Sequence, residues 1–148
     1  MERKELLRIN HLVTSFRIEG RYYAAVDDVS LSVNENEVFA IVGESGCGKS
    51  ALALSIMNLH NREHTKLEGS ILFQGKDLLS MSSNDINSVR GRDIGMIFQD
   101  PLTALNPLMK IGTQIEESLS LHTALSKANQ QKRAMERMNY PAVCGKGR

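Results

Sequence analysis

Eight residues, Gly43-Glu44-Ser45-Gly46-Cys47-Gly48-Lys49-Ser50, constrain this chain more than any others. They lie between the apolar run Val38-Phe39-Ala40-Ile41-Val42 and a segment from Lys49 to Leu59 with Leu52, Ile56 and Leu59 at helical spacing. The run is short, bounded by turn signals and rich in β-formers, which predicts a strand buried on both faces. Strand, glycine loop and helix in that order make a polyanion site. Glycines let the loop curl and turn its N–H groups inward with no Cβ in the way. The helix that follows aims its free N–H groups and the positive end of its dipole at the same point. Lys49 adds a mobile cation, and the Ser50 hydroxyl suits a hard metal ion. A glycine-rich turn of no function is the competing reading, and the flanking strand and helix weigh against it.

The other elements read more simply. Leu7–Val13 predicts a first strand, and Val26, Val29, Leu31 and Val33 predict a second, half-buried one. Arg17 to Tyr23 reads as a hairpin-like connection, and Asn34-Glu35-Asn36-Glu37 as a polar turn. Gly69–Gly75 predicts a strand ending in a turn. Ser82 caps an expected short helix to about Arg90, with Asp85 at its third position. Ile94–Phe98 predicts another strand, broken by Gln99-Asp100-Pro101. A helix with a narrow apolar face starts at Ile111 and runs through His122, and Ser126–Met138 is polar but helical in propensity.

The net charge of +1 points to no nucleic-acid partner. Lys127–Arg133 reads as a wet helix face. The cysteines Cys47 and Cys144 lie far apart, which suggests no disulfide framework and a reducing cytosol. His11, His60, His64 and His122 show no metal-like spacing and read as surface or packing residues. No stretch approaches the roughly 20 apolar residues of a membrane span.

Gly43-x-x-x-x-Gly48-Lys49-Ser50 matches the Walker A pattern at every fixed position. The stretch Val42–Ser50 resembles the phosphate loop of ABC-type ATPases, and Gly95–Pro107 resembles their Q-loop. The second segment is similar to that of the ATP-binding subunits of bacterial oligopeptide, dipeptide and nickel importers. The likeness covers about Leu6 to Arg133 and includes Ala25-Val26-Asp27-Asp28-Val29-Ser30-Leu31. No Asn-Lys-x-Asp segment points to a GTPase.

The resemblance implies an α/β P-loop NTPase fold, with an antiparallel β subdomain and a partial parallel core sheet. It implies ATP and Mg2+ as ligands, with Gly43, Glu44, Ser45, Gly46, Cys47, Gly48, Lys49, Ser50 and Ala51 around the phosphates. Ala51 departs from the threonine common in the family and leaves only its backbone N–H. Ser50 and Gln99 would contact magnesium, and Gln99 would also meet the attacking water. An aromatic ring would stack on adenine, with Phe16 first by spacing and Tyr22 and Tyr23 as rivals. Asp100–Met109 would face membrane-spanning permease subunits, and a second ATPase subunit would complete the site. The subunit would work peripherally at the cytoplasmic face of the bacterial inner membrane.

The family's Leu-Ser-Gly-Gly-Gln-type signature, Walker B carboxylates and switch histidine are absent from the 148 residues. Residues 1–138 therefore read as the N-terminal part of an ABC ATPase domain, and 139–148 as an atypical tail left by truncation or frameshift. Two other readings follow: a nucleotide-binding remnant without turnover, and a soluble ABC protein outside transport.

Overall fold

The computed structural model describes residues 4–99 and 105–138. The expected tail at 139–148 and residues 100–104 of the expected permease-facing segment lie outside them. The chain forms two compact units, Met1–Asn87 and Ser88–Arg148.

The first unit is built on a long hairpin. β1 (Glu5–Ile18) and β2 (Arg21–Asn34) pair antiparallel, with Phe16 opposite Tyr23 and Ile18 opposite Arg21. The strands therefore run through most of the segment expected to be a connection. The turn shrinks to Glu19-Gly20, with φ of 49° and 81°. Positive φ at both central residues gives the turn whose twist matches that of the flanking strands. β3 (Thr65–Phe73) pairs on the other side of β1, and a Gln74-Gly75 turn leads to the two-residue β4 (Lys76–Asp77). The sheet order is β2-β1-β3-β4. Asn34–Glu37 is the turn expected, closed by Glu37 Oε2 accepting from the Asn34 backbone N–H at 2.7 Å.

Helix α1 (Lys49–Ile56) packs on the sheet. It is one turn shorter than the apolar spacing predicts, and Leu59 is exposed because it lies beyond the end of the helix. Leu52 and Met57 are buried, as are Ile9, Leu12, Val26 and Ile71 of the sheet. Two polar residues are also fully buried, Thr14 and Ser55, with their hydroxyls 2.8 Å apart. Ser55 Oγ also donates to Ala51 O at 2.8 Å, so the pair is satisfied inside the interface between β1 and α1. Replacing Ser55 by Ala strands the Thr14 hydroxyl. We expect a cost of about 1–3 kcal/mol in chemical denaturation, largely recovered by adding Thr14→Val.

Helix α2 (Ser83–Val89) starts as expected at Ser82, whose Oγ accepts the Asp85 N–H at 3.2 Å and donates to Asp85 Oδ2 at 2.6 Å. In the second unit, α3 (Ile111–His122) buries no residue and α4 (Lys127–Met138) buries only Ala134. That agrees with the narrow and largely polar faces read from their sequences.

Two expected strands are corrected. Val38–Val42 joins no ladder, and Val38 and Val42 are 98% and 90% exposed. Ile94–Phe98 makes only an isolated bridge, between Ile94 and Arg90. The reason is physical. A strand buried on both faces needs strands hydrogen-bonded along its sides, and among the described residues neither segment has a neighbouring strand. Among the described residues, the antiparallel subdomain carries the regular sheet.

Candidate functional site

The loop after Val42 winds around one ammonium group. Lys49 Nζ donates to Gly43 O at 2.7 Å and to Glu44 O at 2.6 Å, and lies 3.4 Å from Cys47 Sγ. All three of its protons are thus directed into its own loop. The carbonyls offer partial charges only. A phosphate oxygen at the same place offers a full one, and charge-assisted bonds are about twice as strong. The ammonium is therefore already where a polyanion would draw it.

Gly48 closes the loop and caps α1. Its φ is 92°, and a Cβ built there would lie 2.2 Å from Ala25 O of β2. Only glycine lets the loop approach the sheet this closely. With no side chain at the cap, the N–H groups of Lys49, Ser50 and Ala51 find no acceptor within the helix. They point with the positive end of the dipole towards the loop. The amides and the ammonium form a donor set that suits a triphosphate. The exposed hydroxyl of Ser50, beside the loop, suits magnesium. A cleft of about 570 Å³ adjoins the loop, lined by Val26, Phe39, Ile41, Gly48 and Lys49 among others.

The structure brings Gly43 through Ala51 together as one curl. Phe16 is half-buried in the first unit, on the sheet face that carries Thr14 and α1. Its ring meets His60 edge-on, with centroids 5.2 Å apart. Tyr23 pairs directly with Phe16 and shares that face, with 54% of its surface exposed. Tyr22 pairs with Arg17 on the opposite face. None of the three lines the cleft. Gln99 belongs to the second unit and is exposed.

Leu105–Met109, the described part of the expected permease-facing segment, is fastened by Gln114 of α3. Gln114 accepts from Asn106 N at 2.9 Å and donates to Asn106 O and Met109 O, each at 3.0 Å. Leu108 stays exposed on that turn. Sequence reasoning missed this clasp, and it missed the Thr14–Ser55 pair. A serine three residues after Leu52, within the apolar stripe of α1, was the available signal for the latter. Among the described residues no three or more His, Cys, Asp or Glu converge to hold a metal ion, and no helix is long and apolar enough to cross a membrane.

The sheet, the glycine curl and α1 define a P-loop protein, and the comparisons narrow the class. The sequence matches the ABC transporter family over residues 26–144, and the chain belongs to that family. It is 48% identical over 122 residues to the oligopeptide transport ATP-binding protein OppD of Lactococcus lactis subsp. cremoris, covering 82% of this chain and 36% of the relative. It is 41% identical over 141 residues to the dipeptide transport ATP-binding protein DppD of Bacillus subtilis, covering 95% of this chain and 42% of the relative. The chain thus spans well under half the length of these relatives. Among solved structures it resembles MJ0796, a bacterial ABC transporter cassette in dimeric form, with a TM-score of 0.74 and 25% identity over 88% of this chain and 55% of that one. A second structure of that cassette, in a post-hydrolysis state with ADP and Pi, matches equally well.

Proposed function

We propose that this chain is the nucleotide-binding part of an ATP-hydrolysing subunit that energises a bacterial peptide importer. The observation that carries the reading is the Lys49 ammonium held inside the Gly43–Ser50 curl at the head of α1. Backbone amides from Gly43 to Ala51 bind the β and γ oxygens of ATP. Lys49 exchanges its two carbonyl partners for phosphate oxygens, and the Ser50 hydroxyl is offered to magnesium. Gln99 is the residue that the family resemblance would assign to magnesium and to water, and its amide can both accept and donate. Magnesium, when bound, would neutralise part of the triphosphate's charge. Phe16, first of the three aromatics by spacing, would stack on the adenine, beyond the cleft whose lining does not include it.

Leu105–Met109, clasped by Gln114, presents Leu108 to a permease subunit within the Asp100–Met109 segment. A second ATPase subunit pairs with this one, a proposal supported by the dimeric form of the cassette it resembles. The relatives at 41–48% identity, both of them peptide-transport ATP-binding proteins, support di- or oligopeptides as cargo, with nickel as the variant within the same subfamily. The subunit would work peripherally at the cytoplasmic face of the inner membrane. Deleting the gene in a strain without paralogues is expected to abolish uptake of a labelled tripeptide. Unchanged uptake would refute the transport reading.

A further inference from the structure

We infer that His60 is a positioning residue for the base-binding aromatic, bridging the Phe16 ring to Ala51 and Ser55 of the phosphate-loop helix. The inference rests on the reading of Phe16 given above.

One imidazole touches both elements. Its ring lies 5.2 Å from that of Phe16 at an interplanar angle of 75°, the edge-to-face arrangement that aromatic pairs favour. Its Nε2 lies 3.1 Å from Ala51 O and 3.0 Å from Ser55 Oγ. Ala51 is the residue after Ser50, so a single side chain spans from the phosphate end of α1 to the aromatic on β1.

One assignment of protons satisfies this cluster, with His60 taken as protonated at Nε2. A carbonyl can only accept, so Nε2 carries the proton that faces Ala51 O. Ser55 Oγ gives its own proton to the same carbonyl at 2.8 Å, and accepts from Thr14 Oγ1 at 2.8 Å. The chain Thr14–Ser55–Ala51–His60 is then satisfied throughout, and both hydroxyls are fully buried. The backbone beneath is also tied, because Arg17 N donates to His64 O at 2.8 Å and Phe16 pairs with Thr65. The His60–Thr65 segment is thus anchored at both ends, and the ring of Phe16 has one side fixed. A pre-set ring costs a purine less ordering when it stacks.

The test compares Mg·ATP with inorganic Mg·tripolyphosphate on the full chain. His60→Ala is expected to weaken ATP roughly five- to ten-fold, the scale of an aromatic contact, and to leave tripolyphosphate binding unchanged. His60→Gln keeps an N–H donor for Ala51 O but has no ring, so it should preserve the thermal midpoint and still lose ATP affinity. On a Phe16→Leu background, His60→Gln should add nothing. Wild-type ATP affinity in His60→Gln, or an additive loss on the Phe16→Leu background, would overturn the assignment, and so would equal weakening of both ligands by a folded His60→Ala. Should His60→Ala not fold, His60→Gln decides alone. Failure of the wild type to bind either ligand would instead overturn the nucleotide reading beneath it.

Discussion

Lys49→Ala is expected to lower Mg·ATP affinity by about 10- to 150-fold while leaving the fold in place. The range follows from the value of a hydrogen bond to a charged group, about 1.5–3 kcal/mol, converted to a binding constant. The ammonium's present partners, Gly43 O, Glu44 O and Cys47 Sγ, all belong to its own loop, and the loop around it is exposed. Its removal should therefore change unfolding free energy by no more than about 1 kcal/mol. Isothermal titration and chemical denaturation of the same sample separate the two effects. Lys49→Arg should not restore binding, because a planar fork cannot take the place of a compact ammonium within this curl.

Gly48→Ala is the second large effect, and it acts differently. The left-handed backbone alone costs a non-glycine residue about 1–2 kcal/mol. The new Cβ would also sit 2.2 Å from Ala25 O, which belongs to backbone and cannot swing aside. The loop must move off β2, carrying the first amides of α1 with it. Both stability and Mg·ATP affinity should fall, the latter by more than about ten-fold. Gly46→Ala is the matched control. Its φ is 81° but nothing lies within 4 Å of the added Cβ, so only the backbone strain remains. Equal losses in the two variants would show that the contact with Ala25 does not matter.

The phosphate loop was legible because its chemistry is local. The spacing from Gly43 to Ser50 fixes which amides converge, and no distant residue is needed to curl them. The hairpin was legible in kind but not in extent. Alternation marked Val26 to Val33, whereas Arg17, Tyr22 and Tyr23 looked like connection although they pair across the ladder. Exposed strand ends carry no apolar signature, so polarity was mistaken for a turn. The error at Val38–Val42 has the opposite origin. Its composition is that of a central strand, but strand formation is a property of neighbours, and none of the described residues pairs with it. Ile94–Phe98 likewise lacks a neighbouring strand among the described residues and pairs only at the isolated Ile94–Arg90 bridge. Sequence placed His60 only among surface or packing residues, because its partners Phe16, Ala51 and Ser55 reach it from β1 and α1. Gln114 was likewise hidden inside a helix pattern, with its role set by a turn several residues earlier.

The central claim is that the Gly43–Ser50 curl is a magnesium-dependent site for adenine triphosphate. Titrating the purified chain with ATP, with and without Mg2+, tests it most directly. Saturable binding that tightens with magnesium and collapses in Lys49→Ala is the predicted result. A folded chain that takes up no ATP under either condition, or binds it equally well without the Lys49 ammonium, would contradict it.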